Sequence, residues 1–67
     1  MSVARVTKIT ASSKKSFDDA LQTGIDRATK TRKNVESAWI QDQKVVIKGG
    51  KIVEYRVNMK VTFILAE

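Results

Sequence analysis

Cysteine, histidine and proline are all absent from this sequence of 67 residues. Without cysteine no disulfide can form, and without cysteine and histidine the usual zinc and haem ligands are missing. A domain this short buries only roughly 60% of the surface that its unfolded chain exposes, so small domains often depend on disulfides, metals or oligomerisation. With disulfides and zinc excluded, the sequence predicts that the chain oligomerises.

Long apolar runs are missing as well. No stretch approaches the roughly 20 apolar residues that span a bilayer, and Met1–Thr10 lacks the charged-then-apolar layout of a secretory signal. We therefore expect one cytoplasmic domain over residues 1–67 that does not enter a membrane. The 13 Lys and Arg residues outnumber 7 Asp and Glu, giving a formal net charge of +6. This charge favours acidic partners such as phosphates, nucleic acid or anionic cofactors.

One amphipathic helix is predicted from about Lys14 to Lys33. Apolar residues recur at helical spacing and form one stripe, which consists of Phe17, Ala20, Leu21, Gly24, Ile25 and Ala28. Asp18 and Asp19 near the start suit the helix dipole. Gly24 lowers helix propensity, so we expect its bare surface to let a strand pack closely.

Three strands surround this helix in the sequence. Val3–Thr10 is rich in β-branched residues, Ala11–Ser13 is predicted as a turn with capping serines, and Val35–Ile47 alternates. Gly49-Gly50 favours a hairpin turn, and Val53–Leu65 alternates most clearly. At roughly 3.3 Å per residue the last strand is about 40 Å long and outruns the helix. The predicted fold class is α+β, a β-α-β-β chain whose three-stranded antiparallel sheet, ordered first, third, second, wraps on one helix.

The polar face of the predicted sheet is the surface on which we expect function. It carries Ser37, Trp39, Gln41, Arg56, Asn58 and Lys60. A lone tryptophan in a small domain is more often part of the core or of an interface than a ligand platform. Because Ala38 and Ile40 take the helix-facing positions, however, Trp39 points outward, which indicates an interface or a stacked planar ligand.

Residues that support catalysis are sparse. Nucleophilic catalysis by Ser or Thr needs a neighbouring base, and without histidine only lysine- or carboxylate-assisted schemes remain, for which no spacing here is suited. The acids Glu36, Asp42 and Glu54 are scattered. Gly49-Gly50 joins two strands and opens no helix, so it is not a phosphate loop. We therefore predict that the protein is not an enzyme.

Four segments in the same order and spacing resemble the dodecins. They are Val6-Thr7-Lys8-Ile9-Thr10-Ala11-Ser12-Ser13, Ser16-Phe17-Asp18-Asp19-Ala20, Ile25-Asp26-Arg27-Ala28 and Tyr55-Arg56-Val57-Asn58-Met59-Lys60-Val61-Thr62-Phe63. The resemblance covers essentially the whole chain. It implies a hollow, trimer-based homododecamer of cubic symmetry that stores or sequesters flavin, held in many members between tryptophans at subunit interfaces.

The resemblance also implies a set of cofactor-binding residues, namely Ser37, Trp39, Asp42, Gln43 and Arg56, with FMN, riboflavin or FAD as the cofactor. The family's flavin-stacking tryptophan falls on Ser37, whereas Trp39 lies two residues later on the same face. The glutamine that hydrogen-bonds the flavin ring in the family falls on Arg56. An arginine stacks on aromatic planes or pairs with anions, but it cannot accept a hydrogen bond from a ring N–H.

Two alternatives stay open at this point. The first is a flavin-free dodecin with a structural or calcium-binding role, for which Asp42 and Glu54 are the candidate metal ligands, since calcium prefers carboxylate oxygens. The second is a basic nucleic-acid-binding module that uses the lysines at the helix ends, although no reader motif or interleaved aromatics support it. The sequence does not decide the physiological ligand.

Overall fold

One helix packed on a three-stranded antiparallel sheet makes up the structure. The computed structural model describes residues 3–31 and 33–66. The elements follow one another as β1 (Val3–Ser13), α1 (Phe17–Thr31), β2 (Val35–Lys48) and β3 (Lys51–Ala66). The sheet order is β1-β3-β2, and β3 runs antiparallel to both neighbours. The predicted fold class and strand order are confirmed.

Helix α1 begins three residues later than the sequence predicts. Ser16 is its cap, because its Oγ accepts a hydrogen bond of 3.0 Å from the backbone N–H of Asp19. The predicted turn at residues 11–13 is wrong, since these residues are the end of β1. Ser13 is buried there, and its Oγ donates to Asp19 Oδ2 at 2.6 Å and accepts from the Lys15 N–H at 2.9 Å.

The other end of α1 is also shorter than predicted. The helix ends at Thr31, so Lys33 is not helical, and Arg32 lies outside the described residues. Asn34 has φ of 60° and reverses the chain into β2. Its carbonyl oxygen accepts a hydrogen bond of 3.0 Å from the Ile64 N–H of β3. Asparagine tolerates this left-handed conformation better than most residues, which explains the end of the helix there.

The core lies between the apolar stripe of α1 and the helix-facing side of β3. Its buried apolar members are Ala11, Ala20, Ala28, Val57, Met59, Val61 and Phe63. A Cβ added at Gly24 would lie 2.9 Å from Met59 Cε and 3.0 Å from Ala11 Cβ. The close approach predicted at this glycine is therefore confirmed, and Met59 fills the space that the missing side chain leaves.

Strand β3 extends well past the helix that covers it. Fifteen helical residues span about 22 Å at 1.5 Å per residue, whereas 16 extended residues span about 53 Å. The longest dimension of the molecule is 51 Å. At the hairpin end Ile47 is 60% and Ile52 is 52% exposed, and near the other end Leu65 is 58% exposed. Apolar side chains thus remain uncovered at both ends of the sheet.

Glycine occupies both positions of the hairpin turn between β2 and β3. Gly49 has φ of 59° and Gly50 has φ of 76°. These positive angles match the two-residue hairpin predicted from the sequence. Within the described residues, no helix has the length and apolarity that a membrane span requires.

Candidate functional site

The sheet surface that faces away from α1, here called the outer face, is built from aligned residues of all three strands. Four rows cross it in the order β1, β3, β2: Val6–Thr62–Ser37, Lys8–Lys60–Trp39, Thr10–Asn58–Asp42 and Ser12–Arg56–Lys44. Directly opposite residues of antiparallel strands project to the same side of a sheet, so each row brings three side chains together. The outer face is rich in lysine and arginine, and it carries the one tryptophan of the chain.

Trp39 lies on this outer face and is 67% exposed. The Lys60 Nζ lies 5.7 Å from the indole ring centroid, a cation–π arrangement. Ala38 on one side of Trp39 packs against the core opposite Val61. The outward orientation predicted for Trp39 is therefore confirmed. Within one chain, the indole offers an open aromatic surface beside a positive charge.

A β-bulge in β2 determines which side chain follows Trp39 on the outer face. The register shifts between Ile40 and Asp42, so Gln41 has no counterpart on β3 and Asp42 lies opposite Asn58. A bulge inserts one extra residue and reverses the alternation beyond it. Strict alternation predicts Gln41 as the next outward side chain after Trp39. The structure instead has Asp42 in that position, one row from Trp39.

The carboxylate of Asp42 is held by a hydrogen-bonded chain across the sheet. Asn58 Nδ2 donates to Asp42 Oδ1 at 2.6 Å, and Thr10 Oγ1 donates to Asn58 Oδ1 at 2.7 Å. Asn58 is on the face predicted from the sequence. Thr10 is a participant that sequence reasoning missed, because its involvement depends on the register between β1 and β3.

Ser37 and Gln43 differ in their relation to this surface. Ser37 lies opposite Thr62 on the outer face, next to the row of Trp39, and it is exposed. Gln43 lies opposite Val57, which projects toward the helix side of the sheet. Within one chain Gln43 is therefore not brought together with Trp39, and its role at a ligand stays a prediction.

Arg56 is held on the outer face by Glu54, two residues earlier in β3. Arg56 Nε donates to Glu54 Oε1 at 2.8 Å, which forms an ion pair. The hydrogen bond from Arg56 is the largest influence holding the pKa of the Glu54 carboxyl below its ordinary value. The same bond raises the pKa of the Arg56 guanidinium. Engagement through Nε orients the guanidinium plane and leaves its two terminal nitrogens for an anionic or planar partner.

Comparison with models of known protein families identifies the family of this chain. The family model for dodecins matches residues 3–66. The chain belongs to the dodecin family. Among solved structures, it is 33% identical to the dodecin from Streptomyces davaonensis, with a TM-score of 0.92 over 98% of this chain and 97% of that chain. A comparison with curated proteins gives no significant match.

Two further dodecin structures support the fold alone. The dodecin from Streptomyces coelicolor is 24% identical, with a TM-score of 0.92 over 98% of this chain and 94% of that chain. An arginine-to-alanine variant of the T. thermophilus dodecin is also 24% identical, with a TM-score of 0.93 over the full length of both chains. The resemblance stated from the sequence is thus confirmed at the level of family and fold.

The two candidate calcium ligands of this dodecin lie apart in one chain. Glu54 lies opposite Val46, whereas Asp42 lies opposite Asn58, four residues further along β3, which corresponds to about 13 Å. The Glu54 carboxylate already forms an ion pair with Arg56. Among residues 3–31 and 33–66, no three acidic side chains cluster closely enough to hold a metal ion. The residues of a single chain therefore do not fit calcium, and a site shared between copies stays a prediction.

The Glu54–Arg56 pair predicts a defined effect of acid on stability. Because the folded-state pKa of Glu54 is lowered from 4.5, the contribution of the pair is present above that pH and is lost as the pH falls below it. In Glu54→Gln we expect a smaller drop in the melting temperature between pH 5 and pH 3 than in the unsubstituted protein, because the substituted side chain has no carboxylate to lose by protonation. The effect is small because solvent screens the pair.

Thermal unfolding followed by circular dichroism across this pH range measures the difference. The exposed acid Glu36 provides the matched control, since it lies on the same sheet without an ion pair among the described contacts. Equal acid sensitivity of Glu54→Gln, Glu36→Gln and the unsubstituted protein would show that the pair does not stabilise the fold.

Proposed function

We propose that this dodecin is a binding and storage protein that holds a flavin such as FMN, riboflavin or FAD, or a similar flat anionic cofactor, against Trp39 at an interface between subunits. The observation that carries the proposal is the exposed indole of Trp39 on a polar, basic sheet face. Exposed tryptophan is unfavourable unless a ligand or a partner covers it. A planar heteroaromatic ring covers it by stacking, an interaction worth about 1–3 kcal/mol for nucleobases on aromatic side chains.

The charge around Trp39 supports an anionic ligand. Lys8 and Lys60 lie directly opposite each other in the row of Trp39, and like charges in such positions repel each other. A phosphate or a ring anion near them would relieve this repulsion. Arg56, two rows away, offers a third cation. Its guanidinium suits an anion or an aromatic plane better than it suits the neutral ring N–H that the glutamine of flavin-binding dodecins contacts. FMN is therefore favoured over riboflavin.

The proposed assembly is the hollow, trimer-based homododecamer of the family, placed in the cytoplasm. The uncovered apolar residues of the sheet support it. Ile47 and Ile52 at the hairpin and Leu65 near the other end of β3 are more than half exposed, and a second copy that covers them would add the stability that so small a domain lacks. Trp39 lies opposite Lys60, four residues from Arg56 on β3, which corresponds to about 13 Å along the strand direction. We propose that another copy brings its Arg56 closer to the ring stacked on Trp39.

The acidic residues of the outer face are better suited to binding a ligand than to catalysing a reaction. General acid–base chemistry near neutral pH uses carboxyls whose pKa is raised by burial or by a neighbouring acid. Glu54 has the opposite shift, because Arg56 lowers its pKa. Asp42 accepts a hydrogen bond from the neutral amide of Asn58. We propose a role without catalysis for these reasons.

Titration of FMN and riboflavin with the purified protein tests the proposal. We expect flavin fluorescence to be quenched in proportion to added protein until the sites are filled, with FMN bound more tightly at low salt than at high salt. Light scattering of the same sample should report a particle of about twelve 7.5 kDa chains. A flavin spectrum and emission unchanged at micromolar protein would contradict the proposal. A melting temperature that rises with calcium would then favour the flavin-free alternative, and salt-sensitive DNA retention would favour the nucleic-acid alternative.

A further inference from the structure

The ammonium group of Lys60 lies at one face of the Trp39 indole. Lys60 is on the central strand β3, directly opposite Trp39 on β2, and its Nζ lies 5.7 Å from the centroid of the indole ring. Lys60 is half-buried, although lysine side chains are mostly exposed. One face of the exposed indole is therefore already in contact with a side chain of the same protein.

Lys8 lies on the other side of Lys60. It is opposite Lys60 on β1, so the row runs in the order Lys8, Lys60, Trp39 across three strands that are about 4.8 Å apart. Ammonium groups in directly opposite positions repel each other. Neither lysine forms an ion pair with a carboxylate within the described part of the chain. Repulsion from Lys8 and attraction by the indole ring therefore both favour the position of Lys60 beside Trp39.

A planar ligand that stacks on this face of the indole must displace the Lys60 ammonium. The displacement ends the cation–π contact and moves the ammonium back toward Lys8. A neutral ring compensates for neither change. A ligand with an anionic group places negative charge near both ammonium groups and replaces their repulsion by two attractions. The displacement therefore opposes the binding of a neutral ring and favours the binding of an anionic one.

We infer that Lys60 is a specificity-determining residue, which occupies a face of the Trp39 indole until an anionic planar ligand displaces it, and that Lys8 positions it there. This inference rests on the proposed function and adds to it a mechanism of selection. The indole provides affinity for any flat aromatic ring. The two lysines make that affinity depend on the charge of the ligand.

The test compares FMN with riboflavin, which has the same ring and ribityl chain but no phosphate. In Lys60→Gln we expect riboflavin to bind about two- to fivefold more tightly, the factor that corresponds to the loss of an exposed cation–π contact. The dissociation constant of FMN should change less than about twofold, because FMN loses a competitor and a cationic partner together. The preference for FMN over riboflavin therefore falls.

Two further variants separate the charge of Lys60 from its size and test the role of Lys8. Lys60→Arg keeps a cation that lies well on an aromatic ring, so it should keep the preference for FMN. Lys8→Gln should lower the preference, since it removes the repulsion on Lys60 and one partner of the phosphate. Light scattering shows whether each variant keeps the assembled mass, and Lys8→Gln remains informative if Lys60→Gln fails to assemble.

Acrylamide quenching of the Trp39 emission tests the contact in the absence of flavin. Acrylamide is neutral, so its access to the indole depends on cover rather than on charge. We expect stronger quenching in Lys60→Gln than in the unsubstituted protein, and unchanged quenching in Lys60→Arg. Equal quenching in all three proteins would show that Lys60 does not cover the indole, and the inference would be wrong.

The outcomes distinguish this inference from the proposed function. Equal changes for riboflavin and FMN in Lys60→Gln, or no change for either, would overturn the selection by Lys60 while leaving flavin binding at Trp39 intact. Weaker riboflavin binding in this variant would also overturn it, because Lys60 would then be a contact of the bound ring. If the unsubstituted protein bound neither flavin, the proposed function and the inference would fail together. A loss of preference in Lys60→Gln that Lys60→Arg does not show is the result that supports the inference.

Discussion

Met59→Ala should lower the free energy of unfolding by about 2–5 kcal/mol, the usual cost of truncating a large buried side chain. Met59 is fully buried and is among the largest side chains of the core. Its Sδ and Cε fill the space beside Gly24, where no side chain from the helix can compensate for their loss. A domain of 67 residues has a total stability of only about 3–10 kcal/mol, so we expect the variant to be largely unfolded or unassembled at 37 °C.

Urea unfolding at one fixed protein concentration measures this effect, because the stability of an assembled protein depends on concentration. Met59→Leu is the matched control, since it roughly conserves volume and should cost less than about 1.5 kcal/mol. A loss below about 1 kcal/mol in Met59→Ala would contradict the account of the core, because that value is typical of an average substitution at any position.

Trp39→Ala should weaken flavin binding about 5- to 150-fold, which corresponds to the roughly 1–3 kcal/mol of aromatic stacking. The indole is exposed in the chain and makes no part of the core. Truncation should therefore leave the free energy of unfolding within about 0.5 kcal/mol of its original value. A fluorescence titration with FMN measures the dissociation constant.

Trp39→Phe keeps an aromatic plane and should lose less affinity than Trp39→Ala. The mass of the particle separates the two roles open to an exposed tryptophan. If Trp39→Ala keeps the assembled mass and loses the flavin, the indole is a ligand platform. If the variant dissociates into smaller species, Trp39 stabilises an interface between copies, and the stacking role would be wrong.

The sequence alone is sufficient to predict the fold because its signals are consistent with one another. The helical stripe from Phe17 to Ala28, the alternation of β3 and the glycine pair at residues 49–50 all agree with the structure. The sequence predicts the start of α1 too early because Ser12, Ser13 and Ser16 are all good caps by type. Only the contact between Ser16 and Asp19 decides among them, and that contact depends on where β1 ends.

The candidate site is less predictable from the sequence than the fold is. The outward orientation of Trp39 follows from simple alternation, and the structure agrees with it. The position of Asp42 depends on a bulge that no residue type at positions 40–42 signals. Its hydrogen bond with Asn58, and that of Asn58 with Thr10, depend on the strand register, because these residues are 16 and 48 positions apart in sequence. The neighbour that Trp39 meets in an assembled particle depends on other copies of the chain, which one sequence does not specify.

The emission of Trp39 itself tests the central claim most directly, because it is the one tryptophan of the chain. We expect this emission to fall as FMN is added, in parallel with the quenching of the flavin and with the same saturation point, since a flavin stacked on the indole quenches both. Flavin that binds while the tryptophan emission stays constant would contradict the claim, because the ligand would then lie away from Trp39.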